Sequence, residues 1–145
     1  MLQYTGSGLD YIYLKNGYEE HETPYGNSIA IHNLKGLHLA IALDIIKNRA
    51  VLSGDELRFL RIELGFSQRR LGELVGRSSQ SVALWEKGKQ KIPAGADHMV
   101  RLVALEMLNE APHIVELIDR INELDRGIHE KRSFLETEGE WATAA

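Results

Sequence analysis

Apolar positions change their period near residue 33. Before it they alternate or sit in short aromatic and β-branched clusters. After it they recur every three or four residues, as on helices with one buried face. Leu9-Asp10-Tyr11-Ile12-Tyr13-Leu14 predicts a strand ending at Asn16-Gly17. Asn-Gly favours a two-residue type I′ turn, since both positions need positive φ. A polar return strand over Tyr18 to Thr23 is therefore expected, followed by Pro24. A third strand covers Ser28 to His32, with Ile29 and Ile31 on one face. A helix from about Asn33 to Asn48 then carries Leu34, Leu37, Ile41 and Ile45 along one side.

From Ser53 the pattern is helical and closely punctuated. Ser53 with Glu56 forms a capping-box signature ahead of Leu57, Leu60 and Leu64, and Gly65 closes that helix. Ser67 caps the next, with Leu71, Leu74 and Val75 inward and Gly76 as its stop. Ser78 caps a third, with Val82 and Trp85 inward and Gly88 as its stop. A fourth runs from about Gly95 to Asn109 on Met99, Leu102 and Val103. Pro112 suits the first turn of a fifth, which carries Ile114, Leu117, Ile118, Ile121 and Leu124. The expectation is an α+β chain in three parts. A small antiparallel sheet with one helix covers 1–52, five helices cover 53–127, and a flexible acidic tail covers 128–145.

Composition sets bounds on this picture. A chain of 145 residues with 43% hydrophobic and 26% charged side chains is ordinary globular material. No cysteine is present, which excludes disulfides, thiolate zinc, iron–sulfur clusters and a cysteine nucleophile. The longest apolar stretch, Leu37 to Ile46, is broken by His38 and Asp44 and is too short for a bilayer. Met1-Leu2-Gln3-Tyr4-Thr5 lacks the basic and apolar regions of a signal peptide, so a cytoplasmic location without a membrane partner is expected. The net charge of −4 is unevenly spread. Residues 55–91 hold eight basic and five acidic side chains, a local +3, whereas residues 92–145 hold five basic and eleven acidic, a local −6. A cationic island in an acidic chain is compatible with a polyanionic partner, because the local field over the contacting face governs binding.

That island contains two short helices joined by Gly76-Arg77, a pairing that a DNA-binding motif and a plain helical hairpin share. The residues themselves narrow the choice. Leu64-Gly65-Phe66-Ser67-Gln68-Arg69-Arg70-Leu71-Gly72-Glu73-Leu74-Val75-Gly76, then Ser78-Ser79-Gln80-Ser81-Val82-Ala83-Leu84-Trp85-Glu86-Lys87-Gly88 and Pro93, resemble the XRE/Cro/CI family of helix-turn-helix repressors. The Ser-Gln opening and the Trp-Glu-x-Gly close carry the resemblance, which covers about Gly54 to Leu108. It implies a lambda-repressor-like helical domain that puts its second motif helix into the major groove of double-stranded DNA. It further implies that Gln68 meets a backbone phosphate and that Glu86 pairs with Arg61 as scaffold.

Chemistry assigns the remaining roles. Ser79, Gln80 and Ser81 form the first turn of the reading helix, and glutamine can pair bidentately with adenine N6 and N7. Ala83 and Leu84 stand where relatives often carry polar readers, and Leu84 could meet thymine methyls. Arg69, Arg77, Lys87, Lys89 and Lys91 are candidates to neutralise phosphates, which positions a domain without specifying sequence. Trp85 shares the face of Val82 and reads as core. A single reading helix covers few base pairs, so a homodimer on a pseudo-palindromic operator is expected.

The first third also carries a resemblance. Tyr25-Gly26, Gly36-Leu37-His38, Ala40-Ile41-Ala42 and Leu52-Ser53-Gly54-Asp55-Glu56-Leu57-Arg58-Phe59-Leu60-Arg61 look like MqsA-type (YgiT-like) antitoxins and regulators. In that group an N-terminal module, often a zinc ribbon, precedes a helix-turn-helix. With no cysteine, this chain departs from the zinc-bearing members. The resemblance implies an alternative function, an antitoxin that neutralises a protein toxin and represses its own operon. The Leu9/Tyr11/Tyr13 face and the Ile114–Leu124 face could each be core, dimer seam or partner surface. His21, His32, His38, His98, His113 and His129 show no paired ligand spacing, so no metal is expected. Neither a phosphate loop nor a Ser/His/Asp pattern is present, so neither catalytic residues nor a cofactor is expected.

Overall fold

The computed structural model describes residues 1–108, 110, 117, 120, 121, 123, 124 and 130–144. The chain is mixed α+β and divides into two compact units, Met1–Ile41 with His129–Ala145, and Ala42–Ile128. Much of the fifth helix expected after Pro112 lies outside the described residues, but Leu117 and Ile121 within it are buried. Among the described residues, no helix is long and apolar enough to cross a membrane.

In the first unit, β1 (Leu2–Gln3), β2 (Ile12–Leu14), β5 (Arg132–Thr137) and β6 (Glu140–Ala144) form one sheet in the order β1-β2-β5-β6. β3 (Tyr18–Thr23) and β4 (Gly26–Ile31) form a separate two-stranded ribbon. This corrects the expected hairpin at Asn16-Gly17. Gly17 has φ 80°, but Asn16 is not among the residues with positive φ, so no type I′ turn forms there. Instead, Asn16 clasps β5: its Nδ2 donates to the Glu136 carbonyl at 3.1 Å and its Oδ1 accepts the Glu136 N–H at 2.7 Å. β2 then runs parallel to β5, pairing Ile12 with Arg132 and Leu14 with Phe134.

The expected acidic tail is also corrected. Residues 132–144 form an antiparallel hairpin, turned at Glu138 (φ 51°) and Gly139 (φ 81°). Phe134 is fully buried there, and so are Ile12 and Leu14 of β2, while Tyr11 and Tyr13 are only half-buried. β2 thus turns inward the side opposite to Tyr11 and Tyr13, because β5 supplies a core that no local pattern announces. α1 (Leu34–Asn48) buries Leu37, Ile41 and Ile45 as its spacing predicts, but Leu34 in its first turn remains 47% exposed.

The second unit contains α2 (Gly54–Glu63), α3 (Gln68–Val75), α4 (Ser79–Glu86) and α5 (Ala94–Met107). α4 packs on α2 and α3, and α3 on α5. The Ser53 capping box forms in full: Ser53 Oγ accepts the Glu56 N–H at 3.1 Å and Glu56 Oε1 accepts the Ser53 N–H at 2.8 Å. α5 departs from its expected inward face. Met99 is 44% exposed, and Leu102 and Val103 are half-buried; Val100, Ala104 and Leu105 fill the core instead. The cause is a buried charge. Arg101 has no exposed surface; its Nε donates to Asp97 at 2.7 Å and its Nη1 to the carbonyls of Ile46 and Arg49. These three bonds offset much of the cost of burying the guanidinium, although its Nη2 has no hydrogen-bond partner among the described residues, and the inward face of α5 includes Arg101.

Candidate nucleic-acid interface

The pair α3–α4 is built by two serines and two glycines. Ser67 Oγ accepts the Arg70 N–H, and Ser78 Oγ accepts the Ser81 N–H at 3.1 Å, so each helix starts on a side-chain cap. α3 stops at Gly76, whose φ of 72° lies in the left-handed region that disfavours a side chain. The chain folds back so tightly that the Arg77 N–H donates to the Gly72 carbonyl at 2.8 Å. A Cβ at position 72 would stand 2.6 Å from the Arg77 carbonyl oxygen. Only a residue without a side chain permits this approach.

α4 then has two sides. Val82 and Trp85 are buried, as their spacing predicts. On the other side Gln80 is exposed, and Ser79, Ser81, Ala83 and Leu84 are half-buried. Of the predicted base readers, Ser79, Gln80 and Ser81 therefore stand in the first turn of α4 with Gln80 the most accessible, and Leu84 lies in its last turn. Ser78 and Ser81 hydroxyls lie 3.1 Å apart, which ties Ser81 to the cap.

Glu86 closes the far end of α4. It is buried, and Arg61 of α2 grips it with two bonds, Nε to Oε2 at 2.7 Å and Nη2 to Oε1 at 3.0 Å. Arg61 Nη1 also donates to the Phe66 carbonyl. Gln68 Nε2 donates to Glu86 Oε1 at 3.3 Å, an internal contact that the sequence reading did not anticipate. Its amide thus faces the ion pair, joining the start of α3 to the end of α4. One carboxylate gathers three helices.

The expected cations differ in their freedom. Arg69 pairs with Glu73 at 3.4 Å and Arg70 with the same carboxylate at 3.3 Å, all exposed, which partly cancels the field of α3. Arg77 is exposed and its Nη1 donates to the Gly76 carbonyl at 3.3 Å. Lys87, Lys89 and Lys91 are exposed, with no ion pair among the described residues. The loop that bears them is held to α4: the Gly88 N–H donates to the Trp85 carbonyl, and the Lys89 and Gln90 N–H groups donate to that of Leu84. Three unpaired lysines therefore follow the candidate reading helix directly.

Among the described residues no three His, Asp or Glu side chains form a group that could hold a metal ion; His113 and His129 lie outside them. No protein-family model, no curated protein and no solved structure matches the chain.

Proposed function

We propose that the second unit is a helix-turn-helix module of the XRE/Cro/CI type and that the chain is a sequence-specific, DNA-binding transcriptional regulator rather than an enzyme. The observation that carries this reading is the surface of α4. A tight turn presents its first residues outward, its opposite side is buried, and unpaired lysines follow it. In this reading Gln80, with Ser79, Ser81 and Leu84, meets base edges in the major groove. Arg77, Lys87, Lys89 and Lys91 meet phosphates, as does the start of α3 through its backbone N–H groups. Arg69 contributes less, since Glu73 competes for it. The regulator acts in the cytoplasm as a homodimer, with two half-sites about 34 Å apart.

Two substitutions test this. Gln80→Ala costs about 1–3 kcal/mol on a selected operator and relaxes preference at one position. Lys89→Ala weakens all duplexes alike and lowers the salt slope by about one. Equal loss on random DNA for Gln80→Ala removes it from the readers, and an unchanged slope for Lys89→Ala removes Lys89 from the phosphate contacts.

A second reading, antitoxin activity, draws on the ribbon β3–β4. Glu19, Glu20 and Glu22 are exposed on β3, residues 16–34 contain no Lys or Arg, and Tyr25 at the tip is fully exposed. Such an arm suits a basic protein surface and repels nucleic acid. Rescue of cell growth on co-expression with a basic toxin encoded beside it, lost in a Glu19→Gln/Glu20→Gln/Glu22→Gln variant, supports this role; toxicity unrelieved by the chain counts against it.

A further inference from the structure

A pocket of about 290 Å³ opens in the second unit beside the lysine loop. Ala50, Val51, Ile92, Pro93 and Ala94 give it an apolar lining, and Lys91, Asp97 and His98 supply its polar groups. Asp97 is only 4% exposed, and both of its oxygens are already committed, one to Arg101 Nε at 2.7 Å and the other to the Leu52 N–H at 2.9 Å. It therefore offers little to a ligand amine. Lys91 and His98 have no hydrogen bond or ion pair among the described residues, so an ammonium, which only donates, and an imidazole, which donates from at least one ring nitrogen, are left to meet a ligand. An ammonium and an imidazole over an apolar lining complement a carboxylate carried on a compact apolar body. Size narrows the class further. A cavity of about 150 Å³ holds a benzene ring, so this pocket has space for a ring or short branched chain with one acidic group.

We propose that this pocket is a binding site for a small organic carboxylate, which draws Lys91 toward itself and so removes one cation from the DNA-facing set. The site stands on the pocket and its donors. Only the effect on DNA rests on the regulator reading.

The test uses the full chain, with sodium benzoate as the anionic probe, benzylamine as its cationic counterpart and benzamide as the neutral one. Backbone amide shifts are followed by NMR and need no DNA. Benzoate produces saturable shifts at Val51, Ile92, Ala94 and His98, benzylamine none, and benzamide binds more weakly than benzoate. Lys91→Gln and His98→Gln each weaken benzoate roughly tenfold, the scale of one charge-assisted hydrogen bond. Neither residue is part of the buried core, so both variants fold; filling the space with Val51→Trp, where circular dichroism shows a native fold, abolishes the shifts. No saturable shift with benzoate at tens of millimolar, or equal response to benzylamine, overturns the site. A second arm measures DNA affinity with and without benzoate. Weaker DNA binding in the wild type but not in Lys91→Gln supports the linkage. Benzoate binding with unchanged DNA affinity retains the pocket and discards its effect on DNA, whereas a chain that never binds DNA defeats the regulator reading alone.

Discussion

Glu86→Ala tests most severely how the second unit is held together. Its carboxylate is buried, and its loss leaves the Arg61 guanidinium, 14% exposed, with the Phe66 carbonyl as its one acceptor among the described residues. Removing one member of a buried pair costs about 3–5 kcal/mol, since the other charge stays desolvated without compensation. Arg61 keeps some water, so the lower end, about 3 kcal/mol, applies here. Against a domain stability of about 5–15 kcal/mol this is a large fraction. With a urea m-value of about 1.5 kcal/mol/M, the unfolding midpoint falls by roughly 2 M. Arg61→Met/Glu86→Leu removes both charges and recovers most of the loss, because apolar replacement of a buried pair is often close to neutral. Trp85, buried beside Glu86 on α4, reports the transition by fluorescence once Trp141 is replaced by Phe. A loss below about 0.5 kcal/mol, or strict additivity of the single substitutions, refutes the view that this pair joins α2 to α4.

Two further substitutions probe features on which the fold depends. Gly72→Val places a Cβ 2.6 Å from the backbone oxygen of Arg77, which can give way only if the turn itself shifts, so a loss of about 2–3 kcal/mol is expected in thermal melts. DNA binding should fall further still at temperatures where the variant is folded; wild-type stability would show that the turn is looser than described. Phe134→Ala empties a fully buried site in β5 and costs the first unit about 3–5 kcal/mol. In a Trp85→Phe background Trp141 on β6 reports that unit, and an unshifted urea midpoint would mean that β5 is dispensable.

The helical second unit was legible because its signals are local. Ser53, Ser67 and Ser78 each lie at a cap, and Gly76 sits at the one backbone conformation that ends α3. Arg61 and Glu86 became readable through family resemblance, which implied the pairing that the helices realise at 2.7 Å. The sheet was not legible, for a reason of distance. Ile12 pairs with Arg132, and neither strand announces the other, since β5 offers only Phe134 and Leu135 between polar residues. Asn16-Gly17 misled because the Asn16 side chain bonds to Glu136 far along the chain instead of closing a turn. On α5, Met99, Leu102 and Val103 misled, because the inward side also carries Arg101, a charged residue held by Asp97 and two backbone carbonyls. At the candidate interface, the contact between Gln68 and Glu86 depends on how two helix ends meet, which spacing along one helix does not encode.

The central claim, that α4 reads duplex DNA, is tested most directly by presenting the full wild-type chain with a randomised duplex library at low ionic strength. Enriched sequences are then titrated by fluorescence anisotropy at stepwise salt. If α4 reads DNA, a two-fold related motif is enriched, log affinity falls linearly as log salt rises, and Gln80→Ala alters the motif at a defined position. No retention of any duplex at low ionic strength, or retention without sequence enrichment that Gln80→Ala leaves untouched, would contradict it.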